Sequence, residues 1–229
     1  MEIRGYLNCS KIRIKKKEFN IFIGISLGNK YFSKGNLKKY FAWAIKNTKT
    51  NVLIIIADSN HAINYEVFNN YSTEKALRHA LRDGDRIMEM ITEIIAEYPL
   101  ESQNMFKICR WEELRKSPYY QKNKQIIWKE FNENLEFQNY VLNIVTENLG
   151  NRIVGLAVLS RKKLAEYILD ELPIMINGVD YQGSVYNLYP YPGLSSYNTL
   201  ITGLQDKNIF QNLSNKLNIK NKIAMVEML

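Results

Sequence analysis

Two short apolar segments stand out in the first quarter of the chain. Ile21–Ser26 and Val52–Ala57 are rich in β-branched residues and do not alternate apolar with polar positions, which is typical of central strands in a parallel sheet covered on both faces. The segment between them, Asn36–Asn47, has apolar residues at helical spacing: Leu37, Phe41, Ala44 and Ile45. The pattern therefore predicts a β-α-β unit.

Helical periodicity covers much of the remaining chain. It predicts, in chain order, a long helix over Thr73–Glu97, the start of a helix at Glu112–Leu114, one long helix over Lys122–Leu149 and a helix over Arg161–Leu172. We expect Pro173 to end the last of these, because proline has no N–H and restricts the residue before it.

The other segments predict strands and one loop. Lys107–Cys109 is predicted as a short strand and Lys222–Met228 as a closing strand, whereas Ile153–Leu159 is either a strand or the approach to the next helix. Asn177–Asn198 is rich in Gly, Pro, Tyr and Asn and is predicted to be a loop. The order of elements predicts an open α/β sheet, in which ligands bind beyond the C-terminal ends of the strands.

Composition supports a folded chain. Of 229 residues, 46% are apolar and 12% aromatic, so we expect one domain over residues 1–229. The only cysteines, Cys9 and Cys109, form neither a disulfide framework nor a zinc-binding spacing. The first residues lack the apolar run of a signal peptide, and no window reaches the roughly 18 apolar residues of a membrane span. We therefore expect a cytoplasmic protein that does not contact a membrane.

The charge excess leaves two interpretations open. The chain has 31 Lys and Arg against 23 Asp and Glu, a formal net charge of +8. This excess is typical of a protein with a polyanionic partner such as RNA or an anionic surface. A Lys-rich composition imposed by an AT-rich genome explains it equally well.

Gly24-Ile25-Ser26-Leu27-Gly28 has the form G-x-S-x-G, which can mark a nucleophilic serine at a strand-to-helix turn. A hydrolase of this type places its serine after several strands and needs a late histidine as base. Here the serine follows the first predicted strand, and the only histidines are His61 and His79. A serine without a histidine base could still attack an ester that is already activated, such as an aminoacyl ester of tRNA.

The longer motif Gly24-Ile-Ser-Leu-Gly-Asn-Lys-Tyr-Phe-Ser33, followed by a helix that contains Trp43, resembles the nucleophile motif of the tRNA-dependent cyclodipeptide synthases. The resemblance covers nearly the whole chain. It implies a Rossmann-like fold similar to the catalytic domain of class I tyrosyl- and tryptophanyl-tRNA synthetases. It also implies that the serine takes an aminoacyl group from one aminoacyl-tRNA, that the acyl-enzyme reacts with a second, and that the dipeptidyl-enzyme cyclises to a diketopiperazine.

Tyr167 and Glu171 fit the same family. They are four residues apart just before Pro173, so on a helix they share one face. The resemblance implies that they hold the α-amino group of the substrate and that Glu171 takes part in proton transfer. A carboxylate and a phenol beside an ammonium are chemically suited to that role. The alternative is a solvated glutamate in the last helical turn.

The family also has a tyrosine in the loop after this helix, followed by His in one subfamily and by Pro in the other. Leu188-Tyr189-Pro190-Tyr191-Pro192 offers two candidates, and the upstream Ser184-Val185 favours Tyr189-Pro190. Pro190 is typical of the second subfamily, whereas Asn29, in the serine motif, is typical of the first. A rigid loop packed by its own rings is the other interpretation of the Tyr-Pro repeat.

A basic stripe is predicted on the helix Thr73–Glu97. Arg78, Arg82 and Arg86 recur every fourth residue, and Lys75 extends the row by one turn. The resemblance implies that this stripe contacts the acceptor arm of tRNA, although such a row is also common on a solvated helix face. The run Lys11–Lys17 is a second candidate.

These features predict a synthase that uses two aminoacyl-tRNAs, with no metal, nucleotide or other cofactor, no DNA partner and a monomeric state. By similarity to the family, the first aminoacyl group is expected to contact Phe22, Gly24, Ile54 and Ile174, besides Pro190. A serine hydrolase and a non-catalytic tRNA-binding domain are the alternatives. No HIGH- or KMSKS-like ATP-binding signature is present, which argues against an active synthetase.

Overall fold

The structure is a computed structural model that describes residues 2–193 and 195–228. Its strands are β1 (Ile3–Leu7), β2 (Ile21–Ser26), β3 (Val52–Ala57), β4 (Phe106–Arg110), β5 (Val179–Tyr181), β6 (Ser184–Tyr186), β7 (Leu188–Tyr191) and β8 (Ala224–Met228). Its helices are α1 (Lys11–Lys15), α2 (Lys34–Asn47), α3 (Ala62–Asn69), α4 (Thr73–Ala96), α5 (Leu100–Gln103), α6 (Trp111–Arg115), α7 (Pro118–Glu133), α8 (Leu135–Leu149), α9 (Val158–Met175), α10 (Ser196–Asp206) and α11 (Gln211–Lys216). Short 3-10 helices cover Ser59–His61 and Gly150–Ile153.

The central sheet has the strand order β1-β8-β7-β2-β3-β4. Five strands run parallel, and the edge strand β1 pairs antiparallel with β8. Apolar clusters cover both faces, one formed with helices α2 and α4 and the other with α7 to α11. The predicted mostly parallel α/β sheet flanked by helices is confirmed, and burial on both faces explains why β2 and β3 carry unbroken apolar runs.

Side-chain alternation decides which residues of β2 face the site. Phe22 belongs to the cluster on the α9 side of the sheet, whereas Ile21, Ile23 and Ile25 belong to the cluster on the α2 side. Because the side-chain period of a strand is two, Ser26 at the end of β2 lies on the same face as Phe22. The carboxyl end of this strand thus brings the serine towards α9.

The single helix predicted over Lys122–Leu149 is wrong. The structure has two helices, α7 and α8, which meet at Asn134 in an extended conformation. The Asn134 side chain accepts hydrogen bonds from the backbone N–H groups of Glu136 (3.0 Å) and Phe137 (3.2 Å). An N-cap asparagine starts a new helix in this way, and the apolar periodicity on both sides conceals the break.

Pro173 does not end its helix, so the predicted helix end at Leu172 is wrong. Helix α9 starts at Val158 and continues to Met175, and no strand forms over Ile153–Leu159. In the last turn the proline removes only one intrahelical hydrogen bond. Burial of the neighbouring Leu172 and Ile174 side chains favours continuation of the helix.

The segment predicted as a loop, Asn177–Asn198, instead contains the β5–β6 hairpin and the central strand β7. β7 pairs with β8 over four residues but with β2 only at Leu188, opposite Ile21. Pro190 has no N–H to offer to a neighbouring strand. β7 therefore lies in the centre of the sheet although its sequence, which contains a proline, is not typical of a central strand.

Helix α4 packs closely on the carboxyl ends of β3 and β4. Arg110 forms ion pairs with the fully buried Asp58 and with Asp85, at 2.7 Å for the latter, and its Nη2 donates to the Leu81 carbonyl at 2.9 Å. A methyl group on Gly84 of this helix would lie 2.8 Å from atoms of both Asp58 and Arg110. The absence of a side chain at Gly84 therefore permits the contact that fixes α4 to the sheet.

We predict that Gly84→Ala lowers the free energy of unfolding by about 1–3 kcal/mol, because the methyl group must displace a buried ion pair. Gly35→Ala, at an exposed position in the first turn of α2, is the matched control, since nothing lies within 4 Å of the added methyl group. It should change stability by less than about 1 kcal/mol. Urea unfolding of both variants measures the difference, and equal effects would contradict the steric explanation.

Candidate active site

Three separate elements bring four of the five predicted catalytic residues to one cavity of about 220 Å³; the fifth, Asn29, does not line it. Ser26 comes from the end of β2, Tyr167 and Glu171 from α9, and Tyr189 and Tyr191 from β7. Asn148, Met175, Ser195, Tyr197 and Asn198 complete the wall. We call this space the Glu171 cavity.

Tyr167 links the serine to the carboxyl group. Its hydroxyl donates to Ser26 Oγ at 3.4 Å, and Glu171 lies one helical turn further along the same face of α9. No histidine hydrogen-bonds to Ser26 in the described part of the chain. The arrangement is therefore Ser-Tyr-Glu, without the histidine base that a serine hydrolase of the G-x-S-x-G type needs.

Burial governs the charge state of Glu171. Desolvation raises its pKa from its ordinary value near 4.5 to about 8; the Tyr167 hydroxyl acts in the opposite direction, and the negative charge of Asp170 adds to the rise. Across residues 2–193 and 195–228, no Lys, Arg or His side chain forms an ion pair with Glu171. The cavity thus holds a carboxyl group that has no cation to balance it.

The phenols of the cavity stay neutral. Burial raises the pKa of Tyr167 and of Tyr189 well above the ordinary value, with the Glu171 carboxylate contributing to both. The pKa of Tyr191 is also raised, first by burial and then by Glu171, while the Ser26 and Asn29 side chains act against the rise. These hydroxyl groups can therefore donate and accept hydrogen bonds but cannot serve as ionised bases near neutral pH.

A second cavity, of about 290 Å³, meets the first at Ser26, Asn148 and Tyr167. We call it the His61 cavity. Asn29 lines it, and its side-chain oxygen accepts from the Tyr31 N–H at 3.0 Å. Ser26 is thus open to two adjoining spaces.

His61 was not predicted as a site residue, yet it lines this second cavity. Burial lowers its pKa to about 4, so the ring is neutral at pH 7, and its Nδ1 lies 3.2 Å from Asn64 Nδ2. No motif in the sequence connects His61 with Ser26. The connection arises only because β3 runs beside β2 and delivers both residues to one edge of the sheet.

Both tyrosines of the Tyr-Pro repeat point to the site. The Tyr189 ring stacks on Phe22 with the centroids 4.9 Å apart and lies 3.5 Å from the position of a Cβ on Gly24. Tyr191 lies on the same face, one pleat further along β7, beside Ser26. Pro190, predicted to contact substrate, is buried on the opposite face of the strand and does not line either cavity.

The predicted pocket wall needs two further corrections. Ile54 lies in the apolar cluster on the α2 side of the sheet, away from Ser26, and the residue of β3 opposite Gly24 is Ile55. A displacement of one residue along a strand moves a side chain to the other face. Ile174 lines a separate cavity of about 180 Å³ beside the β5–β6 hairpin.

The basic stripe is exposed on α4 as predicted, but most of its charges have partners. Arg78 pairs with Glu74 at 3.3 Å and Arg86 with Asp83 at 2.9 Å. Arg82 contacts His79 at 2.8 Å, and the Lys75 ammonium lies 3.8 Å from the centroid of the Tyr71 ring. Exposed ion pairs of this kind are weak, so an incoming phosphate can replace the carboxylates. The second basic candidate, Lys11–Lys17, includes helix α1.

A family model described as cyclodipeptide synthase matches residues 6–202. The chain belongs to the cyclodipeptide synthase family. The resemblance carried by the serine motif is therefore confirmed, and the family is one of enzymes. This membership favours the synthase interpretation of Ser26 over the hydrolase interpretation.

Three cyclodipeptide synthases illustrate the similarity. The cyclo(L-leucyl-L-phenylalanyl) synthase of Streptomyces noursei is 23% identical over 165 residues, which is 70% of this chain and 67% of that protein. A Mycobacterium tuberculosis structure, described as relating the family to type I tRNA synthetases, has a TM-score of 0.68 at 19% identity and covers 86% of this chain and 84% of its own. The Candidatus Glomeribacter gigasporarum synthase bound to Phe-tRNAPhe has a TM-score of 0.61 at 18% identity, covering 91% and 88%.

Two features are absent from residues 2–193 and 195–228. No helix there combines the length and apolar character needed to cross a bilayer. The same residues contain no group of three or more His, Cys, Asp or Glu side chains placed to hold a metal ion.

We predict that Glu171→Gln becomes progressively more stable than the wild type as the pH rises. In the native protein the carboxyl keeps its proton up to about pH 8, whereas in the unfolded chain it ionises near pH 4.5. Wild-type stability therefore falls over this window, and the variant should gain on the order of 4 kcal/mol between pH 5 and pH 8. Urea unfolding at three pH values measures this gain.

The control for this prediction is Glu166→Gln on the same helix. Glu166 is only partly buried and pairs with Lys163 at 3.0 Å, so its removal should give no gain that grows with pH. A stability difference between Glu171→Gln and wild type that stays constant from pH 5 to pH 8 would contradict a raised pKa at Glu171.

Proposed function

We propose that the protein joins two aminoacyl groups, delivered by two aminoacyl-tRNAs, into a cyclic dipeptide through an acyl-enzyme on Ser26. The observation that carries this proposal is the buried Glu171 carboxyl, which has no cation partner and is connected to Ser26 by Tyr167. A buried carboxylate is stable only beside a positive charge. The α-ammonium of an aminoacyl group attached to Ser26 supplies that charge.

In the first step Ser26 Oγ attacks the ester carbonyl of the first aminoacyl-tRNA. The bond from that carbonyl to the terminal ribose breaks, and the serine proton leaves with the ribose hydroxyl. The reaction exchanges one ester for another, so it needs no external energy source. The neutral Tyr167 hydroxyl orients Ser26 Oγ, at 3.4 Å, for this attack.

In the second step the α-amino group of the acyl-enzyme attacks the ester carbonyl of the second aminoacyl-tRNA. An amide bond forms, the second tRNA leaves with its ribose hydroxyl, and Glu171 takes the proton that the ammonium loses. The amino group of the resulting dipeptidyl-enzyme then attacks the ester to Ser26. This attack closes the six-membered ring and returns the proton to Ser26.

The acidity of Glu171 suits this proton transfer. Its pKa of about 8 is close to the value of about 8 for an α-ammonium group. Proton transfer between groups of similar pKa has little thermodynamic cost, which is the condition for effective general acid–base catalysis near neutral pH. Entry of the ammonium also ionises Glu171, because a nearby positive charge favours the carboxylate.

The two cavities that meet at Ser26 accommodate the two aminoacyl groups. The Glu171 cavity holds the group bound to the serine. Tyr189 and Tyr191 line its wall, and Phe22 and Gly24 pack against the Tyr189 ring. The His61 cavity, with Asn29, receives the group of the second aminoacyl-tRNA. Their volumes, about 220 and 290 Å³, are similar, which agrees with substrates of one chemical class.

The exposed row on α4, Lys75, Arg78, Arg82 and Arg86, contacts the RNA. Gly84 and the Asp58–Arg110 pair fix this helix to the edge of the sheet where Ser26 lies. We expect a monomer of one domain that acts in the cytoplasm, where charged tRNA is present, and that needs no metal or cofactor. No observation favours a second candidate function.

We predict that Ser26→Ala abolishes both cyclic dipeptide formation and covalent labelling by tRNA charged with a radioactive amino acid, because the ester acceptor is lost. Acid-quenched gel analysis measures the label, and mass spectrometry measures the product. Ser102→Ala, on α5, should leave both unchanged. Label that persists in Ser26→Ala would place the nucleophile on another residue.

We predict that Arg78→Ala combined with Arg82→Ala weakens binding of charged tRNA and lowers the slope of log affinity against log salt by about 2, because two fewer counterions are released. Filter binding at salt concentrations from about 50 to about 300 mM measures the slope. The matched control removes Lys34 and Lys38 on α2, which pair with Glu93 and Glu97. An unchanged slope in the arginine variant would exclude α4 as the RNA surface.

A further inference from the structure

Tyr197 brings a further hydroxyl group into the Glu171 cavity. The residue lies in the first turn of α10, where Asn198 Oδ1 accepts from the Ser195 N–H at 2.8 Å and holds the start of the helix. Its ring lines the same cavity wall as Ser26 and Glu171. The predictions made from the sequence did not include it, since it lies outside every motif.

The Tyr197 hydroxyl is buried and forms no hydrogen bond with any residue that the structure describes. Its neighbours are differently placed: the Tyr167 hydroxyl donates to Ser26, and the Tyr120 hydroxyl donates to the Asp170 carbonyl at 2.9 Å. A buried hydroxyl without a partner is unfavourable unless a ligand or water satisfies it. Because Tyr197 lines the cavity, a group bound there can satisfy this hydroxyl.

The electrostatic surroundings indicate what that group is. Burial raises the pKa of Tyr197 well above its ordinary value, and the negative charge of Glu171 is the next largest cause. The hydroxyl therefore stays neutral and lies within the field of the carboxylate without hydrogen-bonding to it. A cation placed between Tyr197 and Glu171 would be attracted by the carboxylate and could donate to the phenol oxygen.

The α-ammonium of the acyl-enzyme has three N–H groups, and each needs an acceptor when water is excluded. Glu171 accepts one. The lone pairs of the Tyr167 oxygen, whose proton is directed at Ser26, accept a second. The third N–H needs a further acceptor. Tyr189, Tyr191 and Tyr197 also line the cavity, and of their hydroxyls that of Tyr197 is the one buried without a hydrogen-bond partner among the described residues.

We infer that Tyr197 is a substrate-binding residue whose hydroxyl oxygen accepts the third N–H of the α-ammonium group held by Glu171. The inference rests on the proposed function. It assigns Tyr197 to recognition of the amino group that all aminoacyl-tRNAs share, and not to selection of the amino-acid side chain. After Glu171 has taken its proton, the same hydroxyl can donate to the lone pair of the neutral amine and hold it towards the second ester.

The test compares two charged tRNAs that differ only at the α position, phenylalanyl-tRNA and its α-hydroxy analogue, phenyllactyl-tRNA. The rate at which each labels Ser26 is measured in wild type and in Tyr197→Phe. We expect the variant to slow labelling by phenylalanyl-tRNA by about 10- to 100-fold, the effect of one hydrogen bond to a charged group. Labelling by phenyllactyl-tRNA should change by less than about 3-fold, because that substrate carries no ammonium.

Tyr40→Phe is the matched control. Its hydroxyl is also buried without a hydrogen-bond partner among the described residues, but it lies on the other side of the sheet, in the α2 cluster. We expect it to leave both labelling rates unchanged. Neither variant should lower the melting temperature, since each removes an unsatisfied buried hydroxyl.

Equal slowing of both substrates in Tyr197→Phe would overturn the inference and would assign the residue to side-chain packing. Unchanged labelling by phenylalanyl-tRNA would also overturn it, as would a fall in melting temperature that accounts for the loss. Failure of the proposed function has a different outcome, because wild type would then acquire no label at Ser26 from any member of a fully charged tRNA pool.

Discussion

Burial of one carboxyl group, that of Glu171, is the constraint on which the chemistry of this site depends. On a solvated surface it would be an ordinary anion, but at the bottom of the cavity it holds its proton to about pH 8 and has no cation to pair with among the described residues. Electrostatics alone therefore favours binding of a positively charged group at this site, whatever the shape of that group. Such a site is also costly to maintain, which is typical of functional sites whose groups the fold alone would not place there.

The neighbouring residue shows how strongly position on the helix decides the outcome. Asp170 is also buried, yet its pKa is lowered despite burial, because Arg115 and Lys124 surround it, the latter at 2.5 Å. Trp111 donates to the same carboxylate at 3.2 Å. Successive residues of α9 point about 100° apart around the helix. Asp170 therefore lies among cations that anchor the helix, whereas Glu171 lies in the Glu171 cavity and pairs with no described cation. The anchored acid fixes the geometry of the reactive one.

Local sequence patterns predicted the elements whose own residues carry a clear pattern. They failed for elements that form only because of contacts with distant parts of the chain. The apolar runs of β2 and β3 identified the sheet because both faces of those strands are buried. β7 was predicted as loop, since its tyrosines face a cavity and its Pro190 is incompatible with a full ladder, and only the pairing with β8 makes it a strand. Propensity cannot anticipate such an override by tertiary structure.

The site followed the same rule. Ser26 was predicted from the G-x-S-x-G motif, and Tyr167 and Glu171 from the resemblance to the cyclodipeptide synthases; the structure places all three around one cavity. Ile54 was displaced by one position, which in a strand is the difference between the two faces. Sheet pairing brings His61 to the His61 cavity, and the turn into α10 brings Tyr197 to the Glu171 cavity; no local spacing encodes those contacts.

The strand order also has a consequence for when the site can form. β1 pairs with β8, so Ile3 lies opposite Met228. In the sheet, β8 and β7 lie between β1 and β2, although β2 follows β1 in the sequence. Contacts between residues so far apart in sequence form late and slowly. During synthesis, β7 and the tyrosines it contributes emerge only after residues 3–187 have been made. A nascent chain without β7 lacks one wall of the Glu171 cavity, so the proposed reaction cannot begin before β7 has paired with β8.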